Sequence, residues 1–440
     1  MKKIVASVGL VALGASSLQA LDAGGFSDPG RFWGVSATLR GFYDDNINTI
    51  PSNYVMPPGY SRASAGFEVS PAVFLNFPLE QTSIVMSYVF DYKYYDNKPL
   101  YNSGNYDMTQ VFNAAVNHAF NERYAVSVGD SFAVGQEPEL LRAGNTFNTF
   151  QRVSGDNLRN YGHINFSAQI TPVFGAELGY ANTLYSYADN HWYVSNPSDG
   201  LISPSNAGLL NTMDQTIHLD GRMQIQPQTT GILGYQFRMM DYTANQPIGG
   251  SLLLPSTIVM SDIRNVDAHY GYVGLDHNFR PDLTGSFRVG ASYNDYVNNT
   301  GQNNWAPYAL VSLRYTYNPG SYFEAGFTYD FTSSSYYSQN IRGSDVTMGA
   351  YAASLYGTLH HQITGKLAGS LMLQYQNDLY YGGPMNNESQ DYFLLYLGLD
   401  YQFTRYFSAQ VGYDYDNVWG DLRYQKYDRN RVYIGVTASY

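Results

Sequence analysis

Cysteine is absent from the 440 residues. That excludes a disulfide framework and a cysteine-linked lipid anchor. Charge is scarce: Asp, Glu, Lys and Arg together make 14% of the chain, against about a quarter in ordinary globular proteins. What charge there is leans acidic, with 24 basic residues against 36 acidic ones and a formal net charge of −12. A nucleic-acid partner needs a basic footprint and is excluded on that ground. Beyond residue 20 no run of apolar residues is long enough for a transmembrane helix. The helix formers Leu, Glu and Lys are also sparse.

What is present starts at the amino terminus. Met1, Lys2 and Lys3 form a short positive region, residues 4–14 are apolar, and Ser16, Ser17 and Ala20 supply small residues for cleavage. This is the pattern of a secretory signal peptide, residues 1–20, leaving 21–440 as the mature chain. That chain is rich in Tyr (43), Phe (23) and Gly (42). Aromatic and β-branched residues favour strands, and Tyr suits a membrane–water interface.

Alternation is the most informative pattern. Ile84, Met86, Tyr88, Phe90 and Tyr92 are apolar at every second residue; so are Phe174, Ala176, Leu178 and Tyr180, and Phe323, Ala325, Phe327, Tyr329 and Phe331. The residues between are mostly small or polar, such as Ser87, Glu177, Gly179, Thr328 and Asp330. A period of two places one set on each face of a strand, and in a transmembrane barrel the apolar set faces lipid. Asp130 is an exception, falling in register with Val126, Val128, Phe132 and Val134, where a carboxylate would meet lipid.

Short polar turns between hydrophobic strand ends recur at 77–82, 120–124, 170–174, 225–230, 279–283, 317–321, 363–367 and 403–407. Such sequences make tight hairpins. Between them lie longer stretches rich in Asn, Ser, Pro and Gly, among them 46–62, 135–156, 188–211 and 244–264, which read as loops. Eight short turns and nine longer connections make eighteen strands, the first spanning 33–45 and 63–76 and the last 406–419 and 428–440. Backbone groups inside lipid must all be paired, and only closure removes the edges of such a sheet. The expected fold is therefore all-β: a transmembrane, antiparallel, up-and-down barrel of the outer membrane with long loops facing outward.

The chain closes on a strand in which Val432, Ile434, Val436, Ala438 and Tyr440 alternate and the last residue is aromatic. Outer-membrane proteins resemble this ending, and the resemblance implies recognition by the barrel assembly machinery. Further stretches resemble the putative beta-barrel porin 2 family of outer-membrane proteins: residues 39–47, which open the barrel, 124–132, 177–182 and 403–413. The resemblance implies a barrel of roughly eighteen strands, and in some members an association with exopolysaccharide export. It implies no catalytic residues.

A barrel of this size encloses a lumen wide enough for water and solutes. The expected function is passive diffusion of small hydrophilic solutes, with an exopolysaccharide conduit or a filled structural barrel as alternatives. Face assignment points Arg222, Arg238, Arg288 and Arg314 into the lumen, and likewise Glu324, Asp330, Asp400 and Asp414. If the two signs occupy separate arcs, a transverse field crosses the lumen; if the charges pair with neighbours, they stiffen the wall instead. Tyr270, Tyr272, Tyr308, Tyr356, Tyr392, Tyr396 and Tyr433 could offer stacking faces for sugars, but interfacial belts and extended strand tips are the simpler expectation.

An enzyme is not expected. The chain has no G-x-S-x-G motif, and none of the eight His sits in a recognisable nucleophile motif. His360 and His361 are adjacent on a strand and point to opposite faces, a poor chelating pair. Asp44, Asp45 and Asn46 could hold a cation at a loop mouth but lack a full calcium loop, so a solvated turn is expected. No metal and no cofactor are implied.

Overall fold

The computed structural model describes residues 31–58, 61–98, 104–136, 155–299, 301–334, 346–422 and 426–440. The expected leader, 1–20, lies outside the described residues, as does most of the loop expected at 135–156.

Eighteen strands form one ring. They are β1 (Trp33–Asp44), β2 (Ser64–Pro78), β3 (Thr82–Tyr95), β4 (Tyr106–Ala119), β5 (Tyr124–Gly135), β6 (Asn157–Gln169) and β7 (Phe174–Tyr187), then β10 (Thr212–Gln226) and β11 (Thr229–Tyr242). The ring continues with β14 (Val266–Arg280), β15 (Leu283–Tyr296), β16 (Asn303–Asn318), β17 (Ser321–Ser333), β18 (Gly349–Gln362), β19 (Leu367–Tyr381), β20 (Ser389–Thr404), β21 (Phe407–Gly420) and β22 (Tyr427–Ser439). Each pairs antiparallel with the next, and β22 closes the ring against β1, with Ser36 opposite Ser439 and Asp44 opposite Arg431. The strand count and all eight tight turns agree with the sequence reading. In the β16–β17 turn, Pro319 cannot donate, and Gly320 takes a positive φ of 74° that a side chain would resist.

The two faces follow the alternation. On β15, Phe287 and Val289 are exposed while Arg288, Ser292, Asn294 and Tyr296 are buried. The same holds on β22, where Val432, Ile434, Val436 and Tyr440 are exposed. Apolar side chains thus cover the outside and polar ones the inside, the reverse of a water-soluble core. Asp130 does face outward; there is no bulge in its ladder. Its carboxylate accepts a hydrogen bond from Asn160 Nδ2 at 2.9 Å, and Asn160 Oδ1 accepts one from Asn182 Nδ2 at 3.0 Å. The carboxylate is matched by a polar strip running over β5, β6 and β7.

Two of the expected loops carry structure of their own. Residues 188–211 hold β8 (Tyr193–Asn196), β9 (Leu201–Ser203) and a short helix, α1 (Asn206–Leu210). Residues 243–265 hold β12 (Pro247–Ser251), β13 (Leu254–Met260) and a 3-10 turn, Ser261–Arg264. These strands form a second, four-stranded sheet in the order β13–β12–β9–β8, joined where Ser251 meets Leu201.

Two prolines mark interruptions in the wall, because proline cannot donate to a ladder. Pro71 pairs with Ala37 of β1, while the β2–β3 register skips Ser70 and Pro71. Pro307 pairs with Ala291 of β15, but the β16–β17 ladder begins only at Ala309, opposite Tyr329.

Candidate functional site

The inward side chains of β7, β10, β14 and β15 form a connected charge network. Arg222 donates to Glu177 at 2.8 Å and to Asp276 at 3.0 Å. Asp276 also accepts from Arg288 at 2.8 Å and from Ser286 Oγ at 3.0 Å. Next to it, the Tyr272 hydroxyl donates to Asp220 at 2.6 Å. On the far arc, Arg40 donates to Glu68 at 2.9 Å and to Gln410 at 3.2 Å, and its guanidinium lies 4.6 Å from the Tyr433 ring centre. Long basic side chains thus link two or three strands each, and every such link lies on the concave face.

All eight charges anticipated from the sequence lie on inward positions of their strands, and the structure brings most of them together with partners. Arg238 Nε donates to Asp214 at 2.6 Å, and its Nη1 stands 4.0 Å from Asp330. Arg314 reaches Glu324 at 3.4 Å. Asp414 accepts from Arg431 at 3.1 Å. Asp400 lies within electrostatic reach of His360 and Arg40. The separation of signs into two arcs is therefore not the arrangement. Arg238 and Arg314 meet Asp330 and Glu324 directly, and the wall carries alternating pairs. Pairing offsets part of the desolvation cost that a single charge would meet in a crowded interior.

The sequence reading put Glu177 among the polar set opposite the lipid face but named neither it nor Asp214 and Asp276 as partners of the arginines. The available signal was register: each falls on the inward set of its strand, as Glu177 does between Ala176 and Leu178. The seven tyrosines also lie inside rather than in interfacial belts. Tyr270 and Tyr392 are each 1% exposed, Tyr270 packs edge-on against Tyr308 at 5.5 Å, and the Tyr396 and Tyr433 hydroxyls bond at 3.1 Å. Asp44 and Asp45 are not a solvated turn either. Both hold β22, Asp44 through Arg429 and Asp45 through the Asn430 backbone N–H at 2.7 Å. His360 and His361 go to separate partners, Ser370 Oγ at 3.0 Å and the Tyr317 hydroxyl at 2.8 Å.

At the long-loop end the interior is packed. Met240, Tyr242, Val266, Tyr296 and Ala306, all on inward positions, form one buried cluster with Ile248 and Val259 of the loop sheet and with Phe331, Val346 and Met348. The loop sheet therefore dips into the mouth of the barrel. Arg264, fully buried, ties the pieces together. It donates to the carbonyls of Ser334 at 2.8 Å, Leu209 at 3.1 Å and Gly208 at 3.2 Å, and its guanidinium lies 3.8 Å from the Tyr242 ring centre. Burial, with no carboxylate partner among the described residues, lowers its pKa below the usual arginine value.

Residues 347–440, covering β18 to β22, match the family model described as Putative beta-barrel porin 2. No curated protein matches the sequence. Among solved structures the chain is similar to OccAB4 from Acinetobacter baumannii, at 12% identity over 93% of this chain and 99% of that one, with a TM-score of 0.42. It is also similar to a BenF-like porin from Pseudomonas fluorescens Pf-5, at 12% identity over 93% and 99% of the two chains, with a TM-score of 0.43. A mutant of the ferric enterobactin receptor from Pseudomonas aeruginosa is similar at 12% identity over 92% and 80%, with a TM-score of 0.42. The closed ring with its apolar outside, and the family match over its last five strands, place the chain in the outer membrane.

Proposed function

We propose that the protein is a porin-like channel through which small hydrophilic solutes diffuse passively, without catalysis. One observation carries this reading: eighteen strands close into a ring that is apolar outside and lined inside by hydrogen-bonded charges. Water and polar solutes are the natural contents of such an interior. On this reading Arg222, Arg238, Arg288, Arg314, Glu324, Asp330, Asp400 and Asp414 line the path. Their pairing favours dipolar solutes over ions of one sign. Residues 1–20 act as the cleaved leader, and Val432, Ile434, Val436, Ala438 and Tyr440 act as the assembly signal.

Single-channel recording in planar bilayers with uncharged solutes of graded size tests the reading. Discrete conductance steps are expected, reduced by solutes small enough to enter. The packed mouth favours a second reading, a filled barrel with a structural role. Absence of steps from correctly folded protein would establish that alternative.

A further inference from the structure

Strand β17 parts from β16 before it ends. Its ladder with β16 stops at Tyr329 opposite Ala309, yet its pairing with β18 continues through Ser333. Beyond Tyr329, residues 330–334 turn into the barrel. Phe331 is 3% exposed and sits in the cluster with the inward residues Met240, Tyr242, Tyr296 and Ala306. Phe323, on the same alternating set lower down, is 40% exposed to the outside. The Phe331 carbonyl accepts from Arg238 Nη1 at 3.3 Å, and the Ser334 carbonyl accepts from Arg264 at 2.8 Å and from the Tyr242 hydroxyl at 3.4 Å. Arg238 belongs to β11, and three strands, β14, β15 and β16, stand between it and β17. Along the wall that is about 19 Å at ~4.8 Å per step. The strand end spans this gap only because it crosses the lumen.

The departure leaves a vacancy. Residues 303–308 of β16 have no strand partner on the β17 side among the described residues. Part of that edge is met by side chains instead: the Asn303 carbonyl accepts from the Tyr381 hydroxyl at 3.3 Å, and Asn304 Nδ2 donates to the Tyr351 hydroxyl at 3.0 Å. An unpaired sheet edge is a template for another strand, so this edge favours a returning strand. The amino-acid pattern favours the same return. Phe331 continues the outward series Phe323, Ala325, Phe327 and Tyr329, and only in the wall would it face lipid.

We propose that residues 330–334 are a gate that exchanges between two sites, the vacant β16 edge and the Arg238–Arg264–Tyr242 anchorage inside the lumen. In the inward state the strand end forms a chord that walls off the arc of β14 to β16 and narrows the passage. In the wall state it pairs with β16 on either side of Pro307 and the passage widens. The gate rests on the channel reading above; the strand exchange itself does not.

The absence of cysteine makes the test clean. Extending the register of Ala309 opposite Tyr329 sets Ala306 opposite Thr332, so the double variant A306C/T332C places its two thiols on one rung of the wall state. The pair V311C/F327C, on a rung already present, controls for folding and oxidation. In outer membranes, oxidation of A306C/T332C should yield a cross-link. Adding Arg238→Ala should raise the wall-to-inward ratio about tenfold, the worth of one charge-assisted hydrogen bond. In bilayers the oxidised form should pass larger current steps than the reduced form, and reductant should reverse the change. If the control pair cross-links and A306C/T332C does not, even with Arg238→Ala, the exchange is wrong. If the cross-link forms and a conducting channel keeps the same step size, the gate is wrong. If the cross-link forms and no variant conducts, the channel reading falls and takes the gate with it, leaving the exchange standing.

Discussion

Arg429 and Asp44, 385 residues apart in the chain, are joined across the strands that close the ring: Arg429 Nε donates to both carboxylate oxygens of Asp44, at 3.1 and 2.9 Å, with both residues buried. Removing Arg429 takes the guanidinium away from a buried carboxylate, and removing Asp44 takes a bidentate acceptor away from a buried guanidinium. Arg429→Ala or Asp44→Ala alone should destabilise the barrel by about 3–5 kcal/mol. The double variant should lose less than the sum of the two. Urea unfolding in detergent micelles measures all three, and additive losses would show the pair to be uncoupled.

Asp276 is the shared acceptor of Arg222 and Arg288. Asp276→Asn leaves two guanidinium groups with one fewer counter-charge. The reversal potential in a salt gradient should shift toward anion preference. An unchanged reversal potential would place this network away from the conducting path.

Arg264 fastens the loop sheet to the strands below it. Arg264→Met keeps the volume and removes three carbonyl partners. Proteinase K should then cut within 188–211 or 243–265 about tenfold faster, as expected when a charge-assisted contact holding a local fold is lost. Equal cleavage rates would mean that apolar packing alone holds the mouth.

The outer face tests the membrane assignment. Val289→Arg puts a charge where the barrel meets lipid and should lower the stability of the inserted state by about 2–4 kcal/mol. Thr316→Arg, on an inward position near the short-turn end, should stay within about 0.5 kcal/mol, as exposed polar sites do. Refolding titrations into lipid vesicles give both values, and similar losses would contradict the face assignment.

Tyr440 pairs its backbone with Val35 in both directions, at 2.9 and 3.0 Å, and stacks on Tyr406 with ring centres 6.3 Å apart. Tyr440→Ala should lower the amount of barrel reaching the outer membrane in cells. The fraction that does assemble should keep nearly the same heat resistance, since the backbone pairs remain. Normal yield of the variant would argue against an assembly role for the terminal aromatic.

Much of the barrel was legible because its rules are local. A period of two, a pair of turn residues and an amphipathic last strand each occupy a few neighbouring positions. Charged inward positions such as Arg222 and Asp330 were legible for the same reason. Their partners were not, because Glu177 and Asp276 reach Arg222 from β7 and β14, and sequence order does not reveal which long side chain bridges which strands. The pairing of β9 with β12 was hidden likewise: two loops separated by β10 and β11 meet only once those strands have paired with each other and with β7 and β14. Phe331 is the sharpest departure. Its local pattern points to lipid, and three distant side chains, Arg238, Arg264 and Tyr242, hold its segment inside.

The contact between Ser251 and Leu201 makes neighbours of two surface segments that the sequence keeps apart. A chimera that imports only one of them from a relative inherits half a sheet. Grafting new specificity onto this barrel therefore requires moving 188–211 and 243–265 as a matched set, and natural drift in one should leave a compensating trace in the other.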